Sequence, residues 1–231
     1  MKNLVMIPAM GCDGRLYAGI AEPLAAYVTS HVVVVDGDGL AECVFEVLRQ
    51  APDKFIILGT SFGGTVALEV ALAAPDRVEG LVIIGAGAGP AANPAAGLNR
   101  AERLRGSAFE TVVTEMADMV SHLPGPHGTT ARDVFIGMAR DGGGQLMARQ
   151  STALARRSDL WPRLGEILVP SLMLWGHEDQ FSPASDGLKL SMAMTNARYA
   201  EISECGHFPS LEAPEETADI LLHWLQDMKL I

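Results

Sequence analysis

The sequence predicts an α/β protein, a doubly wound and mostly parallel sheet of about six strands with a helical insert. Three observations predict it. Short apolar runs alternate with longer helical patterns, most of those runs are continuously apolar, and the interval from about Gly89 to Trp161 holds no such run. Strands covered by helices on both faces are apolar throughout, unlike the in-out alternation of a half-exposed sheet. Strand following helix following strand implies right-handed crossovers. A chain of 231 residues is long enough for one such domain to be stable without a metal or disulfide staple.

The strands expected are Leu4–Ile7, Val32–Val35, Phe55–Leu58, Leu81–Ile84, Leu172–Trp175 and Tyr199–Ile202. Between them the helical patterns are Leu16–Tyr27, Ala41–Gln50, Gly64–Ala74, Ser185–Met194 and Glu215–Met228. Inside the strandless interval, Pro90, Pro94, Pro124 and Pro126 punctuate helical stretches at Ala101–Arg105, Phe109–Ser121, Thr130–Arg140 and Gln145–Arg157. Gly142-Gly143-Gly144 is expected to turn one helix into the next. Residues 1–89 and 162–231 are thus expected to form the core and 90–161 a cap.

Composition narrows the function. Hydrophobic residues make up 48% and charged residues 19%, which excludes a disordered chain. A net charge of −11 opposes binding to nucleic acid or to an anionic membrane surface. Cys12, Cys43 and Cys205 form neither a disulfide framework nor a zinc pattern, and no signal peptide or membrane span is read, so the cytoplasm is the expected location. Charge is unevenly spread. The interval 89–163 carries nine arginines against seven acids, a net charge of +2, and the remainder carries −13. This is either a solvated surface with cap-to-core ion pairs or a surface for an anionic substrate or an acidic carrier protein. The adjacent Arg156 and Arg157 are placed at the seam between cap and core.

The chemistry-bearing segment is Phe55–Gly64, where a strand runs into an Ala-rich helix through Gly59-Thr60-Ser61-Phe62-Gly63. Glycines two before and two after the serine let strand and helix pack around a sharp turn. That turn lifts the hydroxyl above the C-terminal edge of the sheet. The bland alternative is a plain strand–turn–helix with a capping serine. A serine hydroxyl needs a base to attack at neutral pH. Asp179 follows the strand at Leu172–Trp175, and His207 follows the last strand, both where open parallel sheets place their sites.

These features together resemble the α/β-hydrolase superfamily across essentially the whole chain. They are the Gly-x-Ser-x-Gly elbow, the acid loop Gly176-His177-Glu178-Asp179-Gln180-Phe181-Ser182-Pro183, and the Gly206-His207 turn followed by Glu212-Ala213-Pro214-Glu215. The run Ala73–Val78 after the elbow helix also fits. The resemblance implies Ser61 as nucleophile, His207 as base and then acid, and Asp179 as the group that orients His207, with Glu178 the alternative acid. It implies an oxyanion hole formed by the Phe62 N–H and an N–H from the loop after the first strand. Where the family often has His-Gly-x in that loop, this chain has Pro8-Ala9-Met10, which makes Met10 the donor and Gly11 the alternative.

The same loop contains Ala9-x-Gly11-x-x-Gly14, with Asp36 ending the next strand, close to a dinucleotide fingerprint that lacks its first glycine. Gly85-x-Gly87-x-Gly89 is a second glycine-rich loop, but no clean helix follows it. A nucleotide reading would leave the elbow, Asp179 and His207 as coincidences. No cofactor and no metal are therefore expected. Family members with a carboxylate nucleophile are excluded by Ser61, and Phe62 departs from the methionine often found after the serine in perhydrolases. The expected function is hydrolysis of a small carboxylic ester, or a thioester. A hydrolase-like signal receptor with little turnover and a carbon–carbon bond hydrolase stay open.

Overall fold

A computed structural model describes residues 1–231. Its sheet has six strands, all pairs parallel, in the order β2-β1-β3-β4-β5-β6. These are β1 (Lys2–Ile7), β2 (Val28–Val32), β3 (Phe55–Thr60), β4 (Val78–Ile84), β5 (Ser171–Gly176) and β6 (Ala197–Ile202). The core helices are α1 (Ala18–Leu24), α2 (Leu40–Gln50), α3 (Phe62–Ala73), α7 (Ala184–Met192), α8 (Pro209–Glu212) and α9 (Pro214–Asp227). Between β4 and β5 lie α4 (Pro94–Arg105), α5 (Phe109–Val120) and α6 (Gly128–Ala155), the helical cap.

Burial follows position in the sheet. The central strands β3 and β5 are buried at every residue. The edge strands β2 and β6 are largely exposed or half-buried. This explains one displacement. The apolar run Val32–Val35 was expected to be the second strand, yet the ladder pairs Val28–Val32 with Lys2–Met6. An edge strand pairs on one side only, so the polar Thr29-Ser30-His31 serves. Val33 closes the ladder by donating to the Met6 carbonyl at 2.9 Å, and Val33 and Val35 are buried beyond it.

Two helix expectations also shift. The first pattern begins as a 3₁₀ turn at Gly14–Tyr17 and ends as a helix at Leu24. The span α6 is two helices that meet at Gly143, which has φ 77° and ψ 163°, and the second ends at Ala155, two residues short of the expected Arg157. The triple glycine thus separates one helix from the next, as its sequence implies.

The cap is sewn to the core by specific polar contacts. Arg149 of α6 pairs with Asp36 through two bonds of 2.5 and 2.7 Å. The buried Gln150 accepts from the Gly11 N–H at 2.9 Å and donates to the Val35 carbonyl at 2.9 Å. Leu160 donates to the Ala88 carbonyl at 2.8 Å, holding the exit of the cap to the loop after β4. No helix is long and apolar enough to cross a membrane.

Candidate active site

The turn between β3 and α3 places Ser61 at φ 53° and ψ −115°, a backbone conformation that L residues rarely adopt. Such a conformation costs on the order of 1–3 kcal/mol and persists only where the surroundings impose it. They do so here. A Cβ on Gly59 would lie 2.2 Å from the Gly63 carbonyl oxygen, and one on Gly63 would lie 2.0 Å from the Ile7 carbonyl oxygen. The elbow spacing is thus a packing requirement of strand, helix and the neighbouring β1. The Ser61 N–H donates to the Ile84 carbonyl at 2.7 Å, which locks the turn onto β4.

His207 and Asp179 meet on the loops after β6 and β5. Nδ1 of His207 lies 2.6 Å from Oδ2 of Asp179, and both side chains are only 1% exposed. The other oxygen of Asp179 accepts the N–H groups of Phe181 and Ser182 at 2.9 and 2.8 Å. A carboxylate held this way can only accept, so the shared proton sits on Nδ1 and Nε2 presents its lone pair. That Nε2 is buried with no hydrogen-bond partner. The imidazole packs against Phe181 and Phe208, ring centroids 5.0 and 5.3 Å away.

Gly85 joins the two halves of the site. It directly follows Ile84, to which Ser61 is bonded, and it adopts φ 63°. A Cβ there would stand 2.8 Å from Cε1 and 2.9 Å from Nδ1 of His207. The loop Gly85–Gly89 leaves room for an imidazole. In the glycine-rich loop after β1, Gly14 opens a four-residue 3₁₀ turn that leads into α1, and Asp36 is held by Arg149.

Glu178 is directed elsewhere, accepting the Cys205 N–H at 2.9 Å. His177 is exposed and bonds Glu201, which raises its pKa. Cys205 is buried, and burial pushes its thiol pKa up, which disfavours a thiolate nucleophile. Of the two candidate loop donors, the Gly11 N–H is taken by Gln150. The N–H groups of Met10 and Phe62 make no hydrogen bond within the protein, Phe62 being the first residue of α3. Gln150 carries no local sequence signal. Its role depends on a contact across 139 positions.

Above Ser61 lies a cleft of about 270 Å³ lined by Phe62, Gly85, Leu154, Arg157 and Phe181 among others. Phe181 also lines a larger cavity of about 600 Å³ under the cap, with Arg100, Met116 and Met119. Six of the nine arginines in the interval 89–163 are paired with carboxylates, namely Arg103, Arg105, Arg132, Arg140, Arg149 and Arg163. Arg100 and Arg157 are not. Arg100 donates to Ser151 Oγ at 2.9 Å, and Arg157 donates to the Gly89 carbonyl at 2.8 Å. Burial lowers the pKa of both, and the charge of Arg157 lowers that of Arg100 further. Both line a pocket between α4 and the end of α6. Arg156, its neighbour in sequence, is exposed and lines neither cavity. No group of three or more His, Cys, Asp or Glu residues could hold a metal ion.

A parallel sheet, a strained serine at a strand–helix turn and a buried His–Asp pair at the same sheet edge define the architecture of an α/β-hydrolase. Residues 4–220 match the Alpha/beta hydrolase family, and the chain belongs to it. Among curated relatives, a 2-hydroxy-6-oxononadienedioate/2-hydroxy-6-oxononatrienedioate hydrolase of Paraburkholderia xenovorans is 33% identical over 197 residues, covering 74% of this chain and 63% of that one. A hydrolase of the same name from Cupriavidus pinatubonensis is 33% identical over 206 residues, covering 78% and 66%. The chain thus spans just under two thirds of the length of these relatives. Among solved structures, a thermophilic esterase from Thermogutta terrifontis superposes with a TM-score of 0.89 at 19% identity, covering 99% of this chain and 90% of that one. The enol-lactonase of Burkholderia xenovorans gives 0.83 at 20%, covering 97% and 91%. At these identities the two structures speak for the fold alone.

The curated relatives correct the expected function. A small carboxylic ester or thioester was the first reading of the sequence, whereas these relatives are hydrolases of a compound named as a ketone and a dicarboxylate. The ester reading failed because Ser, His and Asp are compatible with attack on either kind of carbonyl.

Proposed function

We propose that this protein is a carbon–carbon bond hydrolase acting on an anionic, conjugated 2-hydroxy-6-oxo acid. The observation that carries the proposal is the reaction named for the curated relatives, which align with about three quarters of this chain. Their named compound has an enol at C2, a ketone at C6 and a carboxylate at each end, with no ester bond. Hydrolysis must therefore break a bond from C6 to carbon. The scissile bond is C5–C6. Moving the enol proton to C5 turns C2 into a ketone. When C5–C6 breaks, the electron pair passes through the conjugated carbons to the C2 oxygen, which then takes a proton. Water supplies the rest: the C6 fragment leaves as a carboxylic acid and the other as a 2-hydroxydienoate.

In this reading the Nε2 lone pair of His207 takes the proton from Ser61 as Oγ attacks C6, and Asp179 steadies the imidazolium. The unpaired N–H groups of Met10 and Phe62 receive the oxyanion, a contribution of about 3–4 kcal/mol for each well-placed donor. His207 then activates water against the acyl-enzyme. Arg157, in the cleft, and Arg100, beyond it, have no carboxylate of their own and supply a counter-charge for a substrate carboxylate. The acidic carrier protein has no comparable support, because most of the cap arginines are paired internally.

The test is to add 2-hydroxy-6-oxononadienedioate to the purified protein and follow loss of its conjugated chromophore. Catalytic decay is expected, with kcat lower by on the order of 10³–10⁶ in Ser61→Ala. A chromophore that persists beside the intact protein overturns the proposal.

A further inference from the structure

We infer that Glu212 is a positioning residue that fixes the His207 loop to the end of the cap. The inference rests on His207 being the catalytic base. Glu212 ends α8, is 2% exposed, and has no Lys, Arg or His partner. Its carboxylate instead accepts three backbone N–H groups. Oε2 takes those of His122 at 2.8 Å and Gly206 at 3.0 Å, and Oε1 takes that of Phe208 at 3.1 Å.

Two of these donors flank His207 directly. The third, His122, lies two residues beyond α5, in the cap. A separate bond joins the same two segments, the His207 N–H donating to the Val120 carbonyl at 2.9 Å. The N–H groups of residues 206–208 are therefore all tied, and each of these bonds runs either to Glu212 or to the end of α5. Asp179 holds the imidazole at one ring nitrogen only. The position of the ring depends equally on the backbone that carries it, and Glu212 sets that backbone. The end of α5 is in consequence part of the frame of the base as well as a wall of the pocket.

The requirement is for a carboxylate. A carboxamide has one acceptor oxygen, so its NH₂ group must face at least one of the three N–H donors. Glu212→Gln is nearly isosteric, yet it breaks the cradle on one side. The expected result is a kcat lower by about 10- to 100-fold with KM changed by less than about threefold, since a displacement near 1 Å carries a penalty of that order. The His207 Nδ1 proton resonance should also shift or broaden. Val47→Ala, in the buried core of α2 and remote from the site, serves as the stability control. It should lower Tm and leave kcat unchanged per folded molecule.

A folded Glu212→Gln protein with kcat within about twofold of the parent and an unmoved resonance would overturn the inference. A His207→Ala protein that kept its activity would instead overturn the reading of His207. Glu212→Asp retains the charge but retracts it by one methylene, and it should also lower kcat. Should neither variant fold, amide exchange in the unmodified protein decides. The His122, Gly206 and Phe208 amides should exchange slowly and together, and free exchange at any of them contradicts the cradle.

Discussion

Arg157→Gln is the perturbation that bears most directly on substrate charge. Arg157 donates from Nε to the Gly89 carbonyl at 2.8 Å, lines the cleft above Ser61, and has no carboxylate partner. Its charge also disfavours that of Arg100. An incoming carboxylate relieves both cations and forms a charge-assisted hydrogen bond, worth about 1.5–3 kcal/mol. At about 1.4 kcal/mol per factor of ten, the variant should lose roughly 10- to 150-fold in kcat/KM toward the dienedioate, mainly through KM. The wild-type KM should rise with salt, as charge attraction is screened over about 10 Å at 0.1 M, and this rise should be shallower in the variant. Loss of the bond to Gly89 should lower Tm slightly. The rate at which a fluorophosphonate labels Ser61 separates the two effects, because that reaction needs the nucleophile and base but no substrate carboxylate. An unchanged KM, or a labelling rate that falls in step with kcat/KM, would refute the argument.

Three further outcomes follow from the same geometry. In Asp179→Asn, the amide oxygen will satisfy the Phe181 and Ser182 N–H groups and turn its NH₂ toward His207. The wrong tautomer results, and kcat should fall by about 10⁴ by steady-state assay, whereas Glu178→Gln should alter kcat little. Gly85→Ala adds a Cβ 2.8 Å from the imidazole at a residue with φ 63°, so it should lower both Tm and the Ser61 labelling rate, the latter by about 10- to 100-fold. The pKa of His177 is raised by Glu201, so this pair stabilises the fold at acidic pH, below the ordinary histidine value, and loses its effect as pH rises through the raised value. The Tm difference between the parent and His177→Gln should accordingly be present near pH 5.5 and vanish by about pH 9.

How much of this was legible in sequence depended on how local each physical cause is. The Ser61 elbow was legible because a steric demand fixes glycine at set spacings within five residues. The meeting of Asp179 and His207 was legible because each follows an apolar run that ends at the same sheet edge. The second strand was misplaced because apolarity marks burial, and Val33 and Val35 are buried beyond the ladder. Glu212 and Gln150 were missed as tethers because a polar residue in a helical pattern looks like a surface residue. Their partners lie 90 and 139 positions away in the chain. Arg156 and Arg157 could not be told apart, since both lie just past the end of α6, where the helical pattern no longer sets direction, and only Arg157 reaches the cleft. The proposed scissile bond is illegible in sequence for a chemical reason: one set of nucleophile, base and oxyanion donors can serve an ester or a ketone, and only the leaving atom differs.

That leaving atom is what the most direct measurement reads. The purified protein is incubated with 2-hydroxy-6-oxononadienedioate in H₂¹⁸O, and the products are resolved by mass spectrometry. Carbon–carbon hydrolysis predicts two acids whose masses together equal the substrate plus one water, with ¹⁸O in the new carboxylate derived from C6 and none of either product from Ser61→Ala. Intact dienedioate recovered after incubation with protein that a fluorophosphonate still labels at Ser61 would contradict the account.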